Sequence, residues 1–540
     1  MKYKSLTVKQ QNWLLIIVLL CISIYYLLQL THSGLWYDEG IEYLYSKYLS
    51  GPLPNNVVAN ARDTFSMYDR IVSTYQPPLY NVVMYVWLSV FDSEFMFRFA
   101  GLIFTIAGGF GLYKTLKYIS GNFYCALTGM TLYLTIPCIA YYTVECGEYN
   151  LMLCLLQWAI YYFCRCFIAS DDKTNRNSLI KFLVFGCLAA YTQYGAILAI
   201  GMLFILITMR YIRNKNKSMI KLSILGGLIV ITVFGLPLLF FFLLPQMQMQ
   251  ESITVSHSPV FINNILYSLW YGIVKMFRFF ILSVSSRLFD CILAAFSIMA
   301  FAALFYKNRT IFKLWLATIT NYLLYFILVA CSFYAYNRWD GNLGCYNLGQ
   351  RYILYLIPIA FLTFYYSIYV FYKNFILNGK YKNLKIILFY GLIAVYIAIL
   401  VKIPGIKEKS SGERDAFSAW YNAQGYDYCT VVENFQNPAF QFYYMHCDKY
   451  DPQKESIVGE CSWSRQADSN LIYNNFEKMG VFSNDTVFYV SSSLFGKNEK
   501  LKNHDIAMRR AGYKPEFILD SREDANNLTS VIKYTRQRQY

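Results

Sequence analysis

Long apolar runs separated by short polar segments fill the first three quarters of the chain. The first run, 13–30, follows three lysines, is long enough to cross roughly 30 Å of hydrocarbon, and lacks a small-residue cleavage site. It predicts an uncleaved first span with a cytoplasmic N-terminus. Ten further runs have the same character: 96–116, 123–142, 149–168, 180–193, 195–210, 221–244, 288–306, 313–333, 352–372 and 385–403. The pattern predicts an all-α polytopic membrane protein with about eleven transmembrane helices.

Two more apolar segments, 78–91 and 262–282, would each reverse the alternation of the loops if they crossed the bilayer. The first is short and begins with proline, and the second contains a lysine and an arginine. We expect both to be interfacial or re-entrant helices. The alternative, in which both cross and cancel each other, stays open.

The composition becomes that of a soluble domain after residue 403, where Pro404 and Gly405 precede a charged stretch. Short strand-like and helix-like segments then alternate, which is typical of a small α/β domain. We expect strands at 429–432, 486–491 and 516–519, and helices at 415–424, 469–478 and 506–512. The sequence therefore predicts a transmembrane domain, 1–403, with a first extracytoplasmic loop at 31–95, followed by a soluble domain, 404–540.

The charge pattern indicates how the chain lies in the membrane. Hydrophobic residues make up 56% of the chain and charged residues 15%, with a mean hydropathy of +0.33 and a net charge of +16. The cations cluster in alternate short loops, as they do in cytoplasmic loops, so they do not indicate nucleic acid. We expect a multi-pass protein of the cell (inner) membrane, in contact with its lipids, whose C-terminal domain is extracytoplasmic (periplasmic).

Two pairs of acidic residues are candidates for chemistry. Asp38 and Glu39 directly follow the first span, where charge is costly because it lies at a membrane boundary. One acid is therefore interpreted as a general base, and the other as a residue that binds or orients the acceptor. A solvated helix start is the alternative. Glu145 and Glu148 lie on the same predicted side, and their spacing predicts one helical face. Loop acids that face water are the alternative there.

Cations on that side are few. Arg98 and Arg351 begin two apolar runs and are candidates to stabilise a lipid-linked phosphate, because a phosphate leaving group develops negative charge. Snorkelling to headgroups and, for Arg98, a structural ion pair are the alternatives. The four histidines are scattered and predict no metal site, although Glu39 and Glu145 leave a divalent cation open. Four cysteines on this side allow one or two disulfides: Cys345, Cys429, Cys447 and Cys461.

Four short motifs together resemble those of a known family of membrane enzymes. They are Trp36-Tyr37-Asp38-Glu39, Gln76-Pro77-Pro78-Leu79-Tyr80, Asp92-Ser93-Glu94-Phe95-Met96-Phe97-Arg98 and Gln350-Arg351-Tyr352. The sequence resembles the membrane glycosyltransferases of the GT-C class, specifically the bacterial dolichyl-phosphate-mannose-protein mannosyltransferase-like and aminoarabinose-transferase-like group. The match is good in the N-terminal part of the chain and thin in the later parts.

The resemblance implies a GT-C-like helical core with juxtamembrane helices. It also implies inverting transfer of a hexose or pentose from a polyprenyl-phosphate sugar to a lipid, glycan or protein acceptor. It assigns catalysis to Asp38, the general base, with Glu39 and Glu145. It assigns the donor phosphate to Arg351, Tyr352, Gln76 and Arg98. The residues that it places along the substrate site are Trp36, Tyr37, Tyr80, Glu148, Tyr149 and Gln193.

Three positions depart from the family pattern. Gln76 stands where the family has His or Lys, Gln193 where it has His, and Gly147 where it has Arg. Glutamine can donate a hydrogen bond to a phosphate but carries no charge, so donor binding would depend more on Arg351 or Arg98.

Two other functions fit a polytopic protein of this kind. A transporter or flippase of lipid-linked sugars would place ionisable groups near the bilayer midplane and often contains repeats, whereas the acids here lie at span ends. A polymerase or ligase of lipid-linked saccharides predicts a large loop between late spans, whereas the large polar block here is C-terminal.

Overall fold

The structure is a computed structural model of the chain. It describes residues 6–51, 66–74, 76–168, 171–253, 351–376, 412–425, 428–433, 437–451, 457–459, 468–492, 499–520 and 529–537, with single helical positions at 316, 320 and 324. Two compact units share these residues. Unit 1 comprises Met1–Leu27, Tyr75–Tyr80 and Phe99–Lys407, and unit 2 comprises Leu28–Thr74, Asn81–Arg98 and Glu408–Tyr540. The predicted division between residues 403 and 404 stays a prediction.

Helices account for most of the described chain. In order they are α1 (Val8–Leu27), α2 (Tyr37–Lys47), α3 (Met67–Ser73), α4 (Leu79–Val90), α5 (Glu94–Ser120), α6 (Phe123–Thr135), α7 (Pro137–Thr143), α8 (Glu148–Ile168), α9 (Asp172–Ala190), α10 (Gly195–Arg213), α11 (Lys217–Ile229), α12 (Leu244–Ile253), α13 (Ile357–Phe371), α14 (Glu413–Asn422), α15 (Asn437–Met445), α16 (Ser469–Lys478) and α17 (Glu499–Arg510). Polar caps start several of them, because a side-chain oxygen accepts an N–H that the helix leaves unpaired. The carboxylate of Asp171, for example, accepts from the N–H of Thr174 at 2.8 Å at the start of α9.

The described residues contain six helices that are long and apolar enough to cross a membrane: α1, α5, α8, α10, the continuous helix Lys217–Gln248 and the helix Leu354–Asn374. All six lie at predicted spans, and they make this a multi-pass membrane protein. The predicted spans at 288–306, 313–333 and 385–403 lie outside the described residues. The predicted total of about eleven spans therefore stays a prediction.

One predicted span differs in detail from the helices observed, and one predicted short helix is present. The predicted span at 123–142 is divided into α6 and α7, because Pro137 favours an extended backbone at Ile136 and removes a helical hydrogen bond. The apolar segment at 78–91 forms the short helix α4. The segment at 262–282 lies outside the described residues.

Unit 2 contains a five-stranded mixed sheet. Its strands are β1 (Cys429–Val432), β2 (Ile457–Gly459), β3 (Thr486–Ser492), β4 (Tyr513–Leu519) and β5 (Thr529–Arg536), in the spatial order β2-β1-β3-β5-β4. β1 is parallel to β2 and β3, whereas β5 is antiparallel to β3 and β4. The predicted α/β character of this region is therefore correct.

Alternation along the strands of this sheet builds two hydrophobic cores, one on each face. Val431 and Tyr489 belong to one core with side chains of α16 and α17. Their neighbours Val432 and Val490 belong to the other core, with Trp420 of α14 and side chains of α15. Successive strand residues point to opposite faces, so a sheet that buries both faces between helices reads as a continuous apolar run.

The sequence located some of these elements and missed others. Strand 429–432 and helix 469–478 have the predicted bounds, whereas β2, β5 and α15 were not predicted. The helix predicted at 506–512 is wrong at both ends. The observed helix, α17, begins at Glu499 in a polar stretch and ends at Arg510, and Gly512, with a φ of 85°, follows its end. Cys429 and Cys447 are free thiols, and Cys345 and Cys461 lie outside the described residues.

Candidate functional site

The first acidic pair lies in the first turn of α2. The backbone is extended at Trp36 and becomes helical at Tyr37, so both carboxylates lie where the N–H groups of a helix start favour negative charge. Asp38 is partly exposed, whereas Glu39 is only 1% exposed. The N–H of Trp36 donates to Oε2 of Glu39 at 3.3 Å. Two adjacent acids therefore have different surroundings.

Arg98, in the first turns of α5, binds Glu39. Its Nε donates to Oε1 of Glu39 at 2.9 Å, and its Nη2 donates to Oε2 at 2.6 Å. The remaining N–H groups donate to main-chain carbonyls at 2.7, 2.7 and 3.0 Å, those of Leu30, Ser33 and Gly34. The Arg98 side chain is 2% exposed, and each of its N–H groups has an acceptor. The predicted role of Arg98 on the donor phosphate stays a prediction; the contacts observed are those of a buried ion pair.

Asp92 connects the end of α2 with the end of α15. Its carboxylate accepts hydrogen bonds from Tyr43 at 2.9 Å and from His446 at 3.4 Å, and it pairs with Lys47 at 2.6 Å. Burial raises the pKa of Asp92, but these three donors outweigh burial and lower the pKa to about 2. Burial lowers the pKa of His446, but its bonds to Asp92 and to the carbonyl of Phe442 raise the pKa above the ordinary value of 6.5.

The second acidic pair lies in unit 1 between α7 and α8. Glu145 and Glu148 are both buried, at 7% and 4% exposure. Only Glu148 is helical, because the chain bends at 145–147 before α8 begins. The predicted common helical face is therefore wrong. Asn150 holds the bend by donating to the carbonyls of Tyr142 at 2.6 Å and Glu145 at 3.3 Å.

Two glutamines of unit 1, Gln76 and Gln246, are joined by a hydrogen bond, and a third, Gln193, precedes the tyrosine that binds Gln246. The side chain of Gln246 donates to the carbonyl of Gln76 at 2.8 Å and accepts from the hydroxyl of Tyr194, also at 2.8 Å. Gln193 precedes Tyr194, and its buried amide oxygen has no donor among the residues that the structure describes. Tyr80 is 2% exposed. Gln76 thus lies beside a further glutamine, Gln246, which was not predicted from the sequence.

Arg351 and Tyr352 begin a short 3-10 helix, Arg351–Leu356, just before α13. Tyr355 of the same turn is fully buried and packs against Gly195, where a Cβ would lie 2.5 Å from its ring. The backbone of the predicted phosphate-binding segment therefore lies beside the Gln193 turn.

The predicted site residues fall into both units. Unit 2 contains Trp36, Tyr37, Asp38, Glu39 and Arg98, and unit 1 contains Gln76, Tyr80, Glu145, Glu148, Tyr149, Gln193, Arg351 and Tyr352. The roles assigned to them stay predictions. Two residues of the C-terminal region, Arg414 and Tyr443, contact the segment before Asp38 and were not predicted.

The comparison with known proteins is informative at the level of structure. No family model and no curated protein sequence matches the chain. Among solved structures, ArnT from Cupriavidus metallidurans in the apo state has a TM-score of 0.57 at 11% sequence identity, and the match covers 97% of this chain and 98% of that one. The chain has the fold of ArnT. The structure of ArnT bound to undecaprenyl phosphate has a TM-score of 0.53 at 11% identity, with 98% of each chain covered.

The match to ArnT, an aminoarabinose transferase, extends over nearly the whole chain. It therefore includes the C-terminal part of the chain, where the sequence motifs are thin. The resemblance to the GT-C class, predicted from four short motifs, is confirmed for the fold. The TM-score identifies the fold, and at 11% sequence identity the similarity shows nothing beyond the fold.

Proposed function

We propose that this protein is a glycosyltransferase that moves a sugar from a polyprenyl-phosphate donor to an acceptor hydroxyl on the extracytoplasmic side of the membrane. The observation that carries the proposal is the first turn of α2. It presents Asp38 partly exposed, while the neighbouring Glu39 is held by Arg98. The fold of ArnT and the membrane helices support it, because ArnT has been crystallised with undecaprenyl phosphate.

In the proposed reaction the Asp38 carboxylate accepts the proton of the acceptor hydroxyl. The acceptor oxygen attacks the anomeric carbon of the sugar, and the bond between that carbon and the phosphate oxygen breaks. The products are the glycosylated acceptor and the polyprenyl phosphate, which retains the bonding electron pair. Attack opposite the leaving group inverts the anomeric centre. A base held in reach of the hydroxyl is worth about 10²- to 10⁴-fold in rate.

The departing phosphate develops negative charge, which Arg351 is proposed to stabilise with Tyr352 beside it. Gln76 and Gln193 supply amide donors where the family has basic side chains, so Arg351 carries more of the electrostatic task. Glu145 keeps the catalytic role that the resemblance assigns to it. The acceptor itself is a lipid, a glycan or a protein.

The proposed orientation has a cytoplasmic N-terminus and an extracytoplasmic C-terminal region, in the cell (inner) membrane. The alternation of basic loops supports it. Asp38 and Glu145 then both lie on the extracytoplasmic side.

Transfer from radiolabelled polyprenyl-phosphate sugars to membrane acceptors tests the proposal. We expect the native chain to transfer sugar and Asp38→Asn to lose about 10²-fold or more of the rate at unchanged protein level. The matched control is Asp485→Asn, which removes a 72% exposed carboxylate of unit 2 and should leave transfer unchanged.

The outcomes separate the base from the enzyme class. Full transfer by Asp38→Asn means that another group is the base. If the native chain transfers from none of the donors, while vesicles that contain it move a lipid-linked sugar between leaflets, the transporter alternative is correct.

A further inference from the structure

The segment that joins α1 to α2 has an unusual set of partners for its main chain. Its five consecutive carbonyls, from Leu30 to Gly34, all accept hydrogen bonds from arginine. Arg98 donates to those of Leu30, Ser33 and Gly34. Arg414 donates to the two between them, through Nη1 to Thr31 at 3.0 Å and Nη2 to His32 at 3.0 Å. Carbonyls in an irregular segment need partners, and here two guanidinium groups supply them.

Tyr443 continues this set of contacts towards α2. Its hydroxyl accepts from the N–H of Leu35 at 2.6 Å and donates to Oε2 of Glu94 at 3.3 Å. The next N–H, that of Trp36, is bound by Glu39. Main-chain groups from Leu30 to Trp36 are thus fixed up to the residue before the helix that contains Asp38. All of these residues belong to unit 2.

Two glycines permit the close approach that these contacts require. A Cβ at Gly34 would lie 2.7 Å from Cβ of Arg414 and 3.0 Å from the hydroxyl of Tyr443. A Cβ at Gly40 would lie 2.4 Å from the backbone nitrogen of Ala439 in α15. These distances leave no room for a larger residue at either glycine, so the backbones on either side of Asp38 lie directly against α14 and α15.

We propose that Arg414 and Tyr443 are positioning residues that hold the proposed base, Asp38, in place. The helices that carry them, α14 and α15, are then needed for the proposed reaction. The proposal rests on the proposed function, because it assigns a role in the same reaction. Neither side chain contacts the reacting atoms in this assignment. Each fixes the main chain that carries Asp38, and a base displaced by about 1 Å can cost about 100-fold in rate.

The experiment compares Arg414→Gln, Arg414→Lys and Tyr443→Phe with the native full-length chain in lipid nanodiscs. We expect Arg414→Gln to lower kcat about 10- to 100-fold while KM for the lipid donor changes less than about 3-fold. Lysine can bind one carbonyl but cannot span two, so Arg414→Lys should recover only part of kcat. Tyr443→Phe should lower kcat by less than Arg414→Gln.

The matched control is Arg509→Gln. Arg509 is 58% exposed and pairs with Asp505 inside α17. It should show native kcat, KM and hydrogen exchange. Because the segment before α2 loses partners in Arg414→Gln, the peptide over residues 31–41 should exchange its amides about 10-fold faster or more. A peptide over β3 should keep its native rate.

Native kcat together with native exchange over 31–41 in Arg414→Gln would overturn the proposal. Faster exchange throughout unit 2, with a fall in thermal stability, would also overturn it, since the role would then be general stability. If the native chain transfers no sugar, the proposed function fails by itself. The exchange measurement would still decide whether Arg414 and Tyr443 hold this segment.

Discussion

At the scale of single residues, the two adjacent acids at the start of α2 have different surroundings. Glu39 is bound on both oxygens by Arg98, while Asp38 is partly exposed. A buried ion pair is weak evidence for stability, because desolvation offsets most of its attraction, yet the loss of one partner is costly. The Arg98–Glu39 pair therefore specifies one conformation of this segment rather than adding much to its stability.

Breaking this pair tests that interpretation. Arg98→Met leaves Glu39 buried without its cation and three carbonyls without donors, so we expect the free energy of unfolding to fall by about 3–5 kcal/mol. The double variant Arg98→Met with Glu39→Leu should recover part of that loss. Urea unfolding of the purified protein in detergent measures both variants, with Arg509→Met as the control. Equal losses in the single and double variants would show that the buried charge is not the cause.

The sequence predicted this cluster only in part. Asp38, Glu39 and Arg98 stand in motifs that can be recognised from their order, and a structural ion pair was one interpretation of Arg98. Arg414 could not be found in this way, because its partners are main-chain carbonyls, which every residue has. Gln246 could not be predicted for a similar reason, because a polar side chain that binds a distant main-chain carbonyl has no recognisable sequence spacing from its partner.

At the scale of elements, α2 is held in place by packing against α15. The ring of Tyr43 packs at right angles against Phe442, with centroids 4.6 Å apart, and against His446 at 5.7 Å. Short helices in a loop are marginal alone and are held by packing. α15 was missed in the sequence because Asn437–Met445 is rich in Phe and Tyr, which are typical of strands. β5 was missed because it is buried almost along its whole length and shows no alternation.

This contact should depend on pH. The pKa of His446 is raised in the folded protein, so its stabilising contribution is present below the ordinary value of 6.5 and is lost as pH rises through the folded value. The pKa of Asp92 is lowered to about 2, so its contribution is present above 3.8 and is lost only in strong acid. His446 faces Asp92, Lys47 and the ring of Tyr43.

We therefore expect His446→Gln to raise amide exchange over 37–47 at about pH 5.5 and to match the native protein at about pH 9. The effect on stability should stay below about 1 kcal/mol, because both side chains are partly exposed. Hydrogen exchange at the two pH values, corrected for the intrinsic rate, measures it. A difference of equal size at both values would mean that the ring packs without its charge mattering.

At the scale of the molecule, the division into units does not follow the order of the chain. The segments Leu28–Thr74 and Asn81–Arg98 belong to the same unit as Glu408–Tyr540. The sequence alone suggests a membrane part and an appended soluble part, because composition changes abruptly at one place. Contacts between distant segments cannot be read from composition. The match to ArnT covers 97% of this chain.

Removing the C-terminal region should therefore abolish transfer. A chain that ends after residue 407 keeps the described membrane helices but lacks Arg414 and Tyr443, so we expect no detectable transfer from polyprenyl-phosphate sugars and rapid proteolysis within 31–40. The control is the full chain with a protease site inserted before Gly412, cut after purification. It should remain active, because the separated region stays bound through α14 and α15. Activity in the shortened chain would show that α14 and α15 are not needed for the reaction.

The distance along the chain between Arg414 and its two carbonyl acceptors has a consequence for synthesis. These partners are 383 and 382 residues apart, so the segment before α2 leaves the ribosome long before its second arginine exists. At a synthesis rate of about 5–20 residues per second, the delay is on the order of half a minute. During that interval the spans can enter the membrane, but the carbonyls of Thr31 and His32 lack their arginine. On the proposed function, the segment that carries the proposed base is therefore completed last, and we expect activity only from a chain synthesised nearly to its end.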